Sequence, residues 1–162
     1  RGELYQYNEG KLIKSHLMFR SNLKALRAAC KLCSIIQKSQ LEGKEAFNLY
    51  LLLNKYMERI PESPSPRNLV SSFYLKVLIH DGLLLFQPFC SFCKKKTLHL
   101  FFYGGEFYCS SHFPHRALEF SLEESRQLFI LGGSRQLSQI ESVDLNESLE
   151  EKIVMIFASF FS

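Results

Sequence analysis

Two short half-sites separated by a strand-like spacer constrain this chain most. Cys90-Ser-Phe-Cys93 is followed, after fifteen intervening residues, by Cys109-Ser-Ser-His112. Thiolate and imidazole are the ligands zinc takes in tetrahedral sites, and a C-x2-C turn presents two sulfurs to one ion. The spacer is β-rich on both sides of Gly104-Gly105, from Thr97 to Tyr103 and from Glu106 to Cys109. Two glycines accept the positive φ of a type I′ turn. Folding that hairpin would carry the second half-site back to the first. The expectation is one Zn2+ held by Cys90, Cys93, Cys109 and His112, with His115, beyond Pro114, as the alternative fourth ligand. The competing reading is a small β unit with free buried cysteines. His99, mid-strand, is expected at the surface or in packing.

Four protein ligands would close the site, whereas a catalytic zinc keeps a position open for water. "PFCSFC" faintly echoes the P-C-x-x-C of zinc deaminases, which also need H-x-E upstream. His16, His80, His99, His112 and His115 are followed two positions on by Met18, Gly82, Phe101, Pro114 and Ala117. None is Glu. No P-loop, G-x-S-x-G or G-x-G-x-x-G occurs either. The chain is expected not to be an enzyme, and the zinc to be structural.

Five cysteines make an odd count, against a secreted disulfide scaffold and for a reducing cytoplasm. Cys30 and Cys33 fall in a helical stripe with Leu23 and Leu26 and are expected to pack in the core as small hydrophobes. No apolar run reaches the ~18 residues that cross a bilayer, so no membrane span is expected. The opening "RGELYQYNEG" has neither an initiator Met nor the apolar region of a secretory signal, and is expected to be the interior of a longer chain.

Residues 3–17 alternate apolar and polar around Asn8-Glu9-Gly10, which predicts a hairpin with no sheet nearby to join. A helix is predicted from Ser21 as N-cap, with Leu23, Leu26, Cys30 and Cys33 on its buried face and Lys24, Arg27, Lys31 and Lys38 on others. A second spans 45–60, with Phe47, Tyr50, Leu51, Asn54 and Met57 as repeating positions, and is stopped by "PESPSP". A third spans about 67–80, striped by Leu69, Val70, Phe73, Tyr74 and Val77 and ended by Gly82. Ser121 with Glu124 forms a capping-box pattern for a helix over about 122–131. A last helix spans 146 to about 160 and is apolar nearly all round, at Ile153, Val154, Ile156, Phe157, Phe160 and Phe161. The fold class expected is mainly α: a helical bundle with a small β-rich, zinc-ribbon-like insertion.

Charge is unevenly spread. Residues 1–116 hold 17 Lys and Arg against 8 Asp and Glu, and residues 117–162 hold 3 against 8. A basic front fits an anionic partner, or simply a solvated surface. Lys94, Lys95 and Lys96 leave the first cysteine pair directly and must project into solvent. They read either as a phosphate-contacting edge or as a charged turn balancing a thiolate-rich site.

The order of these motifs resembles the bacterial RecO family of DNA repair proteins. Phe73, Leu75, Leu78 and Gly82 match its helix before the first cysteine pair. Cys90, Cys93, Gly104, Gly105 and Cys109 match its cysteine–glycine–cysteine line. The resemblance covers the chain from Glu3 onward and is most specific over 73–112. The second half-site departs from it, ending in His112 where the family has cysteine. The resemblance implies that residues 1–17 are the last strands of an N-terminal OB domain. It makes 18–162 the helical domain, with a zinc finger inserted at 88–115. It implies a non-enzymatic, cytoplasmic, nucleoid-associated mediator of recombination. Such a protein binds single- and double-stranded DNA and anneals complementary strands. It works with RecR and RecF, engages the C-terminal tail of single-stranded DNA-binding protein, and helps load the recombinase. Lys24, Arg27 and Lys31 join Lys94–Lys96 as candidate DNA contacts. The alternative is a protein-interaction scaffold with a structural zinc and no nucleic-acid role.

Overall fold

Helix α3, Pro66–His80, is the axis on which the other helices pack. The computed structural model describes residues 9–12 and 14–161. Before α3 come α1, Leu23–Ser39, and α2, Phe47–Arg59; after it come β1, Leu100–Tyr103, β2, Glu106–Tyr108, and β3, Leu118–Phe120. The chain then forms α4, Leu122–Gly133, α5, Leu137–Glu141, and α6, Glu147–Phe161. Short 3-10 turns occupy Leu17–Ser21 and Ile60–Glu62.

The start and stop of α3 follow from its sequence. Pro66 takes the first helical position, where its missing N–H costs nothing. At the other end the N–H of Leu83 reaches the carbonyl of Leu78 and that of Gly82 reaches Ile79. Gly82 has φ 72°, so this is a Schellman cap built on the residue that adopts it at least cost. The predicted stripe was too narrow. Leu75 and Leu78 are also buried, as are the polar Asn68, Ser71 and Ser72, because α1, α4, α5 and α6 surround the helix. Asn68 answers its own burial by donating to the carbonyls of Ile140 (3.1 Å) and Val143 (2.7 Å), which ties α5 to α3.

Two predicted faces were out of phase. On α1 the buried residues are Ala25, Ala28, Ala29, Leu32 and Ile35. Leu23 and Leu26 are exposed, and so are Cys30 and Cys33, which are therefore not core residues. Small alanines fill the first turns of the buried face, with Leu32 and Ile35 further along it, and Leu23 and Leu26 are left outside. The N-cap is Asn22, whose Oδ1 accepts from Ala25 N at 3.1 Å; Ser21 instead donates to the carbonyl of Met18. On α2, Leu49 and Tyr56 are buried and Leu52, Leu53 and Met57 pack beside them, while Phe47, Tyr50 and Leu51 are exposed. Of the hairpin expected over 3–17, residues 3–8 and 13 lie outside the described residues. Within it, 9–12 and 14–16 carry no strand, and Leu17 already belongs to the first 3-10 turn.

The capping box at Ser121 and Glu124 is present in both directions. Glu124 does more than cap. Its carboxylate accepts from Lys152 Nζ (2.7 Å) and Ser148 Oγ (2.8 Å), joining α4 to α6. Helix α4 runs past the predicted end to Gly133. A side chain at Gly132 would meet the ring of Phe86 at 2.4 Å, so this glycine makes room for an aromatic rather than ending a helix. Phe86 packs edge-on against Phe107 of β2 and Phe129 of α4, and that aromatic joint docks the β unit on the bundle. Among the described residues no helix is long and apolar enough to cross a membrane.

Candidate metal centre and basic surfaces

The β unit is a hairpin with one added strand. Tyr103 pairs with Glu106 across Gly104 (φ 57°) and Gly105 (φ 88°), the two-residue type I′ geometry. Strand β3, which was not predicted, pairs on the other edge of β1, giving the order β2-β1-β3. Its three residues are too few to show a period.

The first half-site is a tight knuckle. Cys90 N donates to the carbonyl of Lys95 (2.9 Å) and Lys94 N to the carbonyl of Cys90 (2.8 Å). Lys94 takes the left-handed conformation, φ 58°, which turns the chain back so that Phe89 bridges Lys96. Ser91 N donates to the carbonyl of Phe107 at 2.8 Å, fastening the knuckle to β2 and hence to the segment that leads to Cys109. In the second half-site His112 N closes a turn on the carbonyl of Cys109 at 3.0 Å.

This backbone brings Cys90, Cys93, Cys109 and His112 together, with ligand atoms all within 4.8 Å of one another. His112 Nδ1 lies 3.2 Å from Cys109 Sγ and 4.0 Å from Cys90 Sγ. Tetrahedral zinc at normal bond lengths asks for about 3.6 Å between sulfur and nitrogen, which these two distances bracket. His115 is exposed and is not part of the cluster. His99 lies away from it and pairs with Glu119 of β3 at 2.9 Å.

The thiols are unequal. Burial pushes the Cys90 pKa up, but hydrogen bonds from the backbone at Cys93, Cys109 and Phe92 outweigh it and hold it at about 6. Ser111 N favours the thiolate of Cys109, yet burial and the neighbouring sulfurs of Cys90 and Cys93 raise its pKa overall. One thiolate is easily formed, and a second beside it is costly unless a cation shares the site. Three thiols and an imidazole around such a centre suit zinc, with no position left for a reacting water.

Two basic surfaces are present. Lys94, Lys95 and Lys96 are exposed on the knuckle. Lys24, Arg27 and Lys31 lie along one side of α1 and line a cleft of about 560 Å3. Arg67, in the first turn of α3, lines the same cleft and was not singled out from the sequence. Nothing near it in sequence marks it; only the packing of α3 beside α1 brings it there. Glu150 pairs with Arg67 and lies 4.0 Å from Lys31, so part of this charge is already compensated.

Fold and site together define a mainly helical domain carrying a small sheet and a Cys3His cluster suited to a metal ion. The family described as Recombination protein O C terminal matches residues 20–161, and the chain belongs to that family. Among curated proteins it is similar to DNA repair protein RecO of Chlamydia trachomatis serovar D, 27% identical over 157 residues, covering 95% of this chain and 65% of the relative. It is also similar to DNA repair protein RecO of Chlamydia pneumoniae, 27% identical over 158 residues, covering 96% and 63%. DNA repair protein RecO of Clostridium perfringens strain 13 is 33% identical over 108 residues, covering 63% and 44%. The chain thus spans under two thirds of the length of these relatives. No solved structure matches it.

Proposed function

We propose that this chain is the helical, zinc-clasped part of a DNA repair protein that mediates recombination without catalysing a reaction. The observation that carries the reading is the juxtaposition of a closed Cys3His cluster with an exposed lysine edge, Lys94–Lys96, in a chain whose relatives are named DNA repair protein RecO. The metal is one structural Zn2+, which fixes the knuckle because metal binding is coupled to local folding. The lysines then meet phosphates from a preset position, and Lys24, Arg27 and Lys31 add a second basic surface. The full molecule binds single- and double-stranded DNA and anneals complementary strands. With RecR and RecF it helps load the recombinase onto DNA coated by single-stranded DNA-binding protein, whose C-terminal tail it engages.

Phosphate contacts release counterions, so affinity for DNA should fall steeply with salt. Fluorescence anisotropy of a labelled single strand with the full-length protein tests this. Salt-sensitive binding is expected; no binding at low salt would overturn the reading. A protein-interaction scaffold is the second reading. It is favoured by an apolar groove of about 460 Å3 between the hairpin and α6, lined by Tyr103, Leu118, Met155 and Phe160.

A further inference from the structure

The knuckle exposes aromatic rings as well as charge. Phe92, at its tip, is 73% exposed. One face of its ring lies against His112, with centroids 4.7 Å apart, so the ring is held in place while most of it meets solvent. Phe113, next in the chain to His112, is exposed too and stacks on the buried Phe101 at 4.2 Å and 12°. Phe89 is exposed and stands opposite Lys96 in an antiparallel bridge, which puts the two side chains on one face of the ribbon. Exposed aromatics grouped in one small unit, unlike single ones, point to a partner. Here Phe89 and Phe92 closely precede the lysine triplet in the chain, and Phe113 is exposed on the same small unit.

We propose that Phe92, supported by His112 and followed in the knuckle, after Cys93, by Lys94–Lys96, is a base-stacking platform that selects unpaired nucleic-acid strands. The occupant follows from the chemistry. Lysines favour a polyanion, and open aromatic faces favour planar bases free to leave a stack. A duplex offers phosphates but keeps its bases stacked inside, so it would use the lysines alone. The inference rests on the DNA-binding reading above and adds which strands the knuckle prefers and which residue discriminates.

The test is anisotropy with the full-length protein, using labelled oligothymidylate and a duplex of equal length. Phe92→Ala is expected to weaken single-strand binding by roughly 5- to 150-fold, the range for one stacked base, with duplex affinity unchanged. Phe92→Trp is expected to keep single-strand affinity and to show indole fluorescence quenched on binding. Zinc content of each variant reports whether the knuckle is intact. Equal single-strand affinity for wild type and Phe92→Ala would overturn the platform. So would loss of single strand and duplex together with metal retained, or indole fluorescence of the Phe92→Trp variant that stays unquenched when the strand binds. Wild-type protein that binds neither DNA overturns the DNA reading itself, so the two failures are distinguishable. A Phe92→Ala protein with normal DNA binding but weakened association with another protein would assign the aromatics to a protein partner and reject the proposal.

Discussion

Cys109 Sγ and His112 Nδ1 approach to 3.2 Å across one turn, closed by the backbone hydrogen bond from His112 to Cys109. That contact places a ring nitrogen among three thiol sulfurs, all four atoms within 4.8 Å of one another. Elemental analysis of the full-length protein should therefore find about one zinc per chain. His112→Ala should lower zinc affinity by at least about 10-fold, since even outer partners of metal ligands are worth that much, whereas His115→Ala should leave it unchanged. Cys90→Ser should lose the metal and unfold the β unit, seen as a separate low-temperature transition.

Gly104 and Gly105 share a turn but not a role. Both have positive φ, yet a side chain at Gly104 meets open space and one at Gly105 would lie 2.5 Å from the carbonyl oxygen of Leu83. Gly105→Ala is expected to cost more than about 1–2 kcal/mol, the left-handed penalty alone. Gly104→Asn should cost only a fraction of that, because Asn tolerates this conformation. Denaturant unfolding of the two variants checks the contrast.

Glu124 joins the cap of α4 to Lys152 of α6. Burial raises its pKa, but Lys152, the Ser121 N–H and Ser148 outweigh burial and hold it below the usual carboxylate range. Glu141 is lowered as well, chiefly by hydrogen bonds from Arg59. A carboxylate with a depressed folded pKa contributes stability that is fully present above its unfolded pKa of about 4.3. That stability is lost as pH falls through the lower folded value. Denaturant midpoints should hold level down to about pH 5 and drop below about pH 4. Glu124→Gln keeps the capping oxygen but leaves Lys152 unpaired, and should cost roughly 1–3 kcal/mol at neutral pH, with a shallower acid limb.

Much of this architecture was readable where a local rule acts alone. Gly82, Ser121 with Glu124, Gly104-Gly105 and the cysteine half-sites each specify a cap, a turn or a ligand turn from adjacent residues. Properties decided between elements were not readable. The buried face of α1 begins with Ala25, Ala28 and Ala29, while Leu23 and Leu26 announce a face that stays exposed. Gly132 has a packing role that its neighbours in sequence do not announce, because Phe86 fills the space a side chain there would take. Arg67 joins Lys24 and Arg27 only through packing.

The most direct test of the lysine edge is the salt dependence of single-strand binding by wild type and by the Lys94→Ala, Lys95→Ala, Lys96→Ala triple variant. Each phosphate neutralised on a single strand adds about 0.7 to the steepness of log affinity against log salt. If all three lysines contact the backbone, the triple variant should bind more weakly at low salt, with a slope shallower by about 2. An unchanged slope and affinity, with zinc still bound, would contradict the assignment of this edge to DNA.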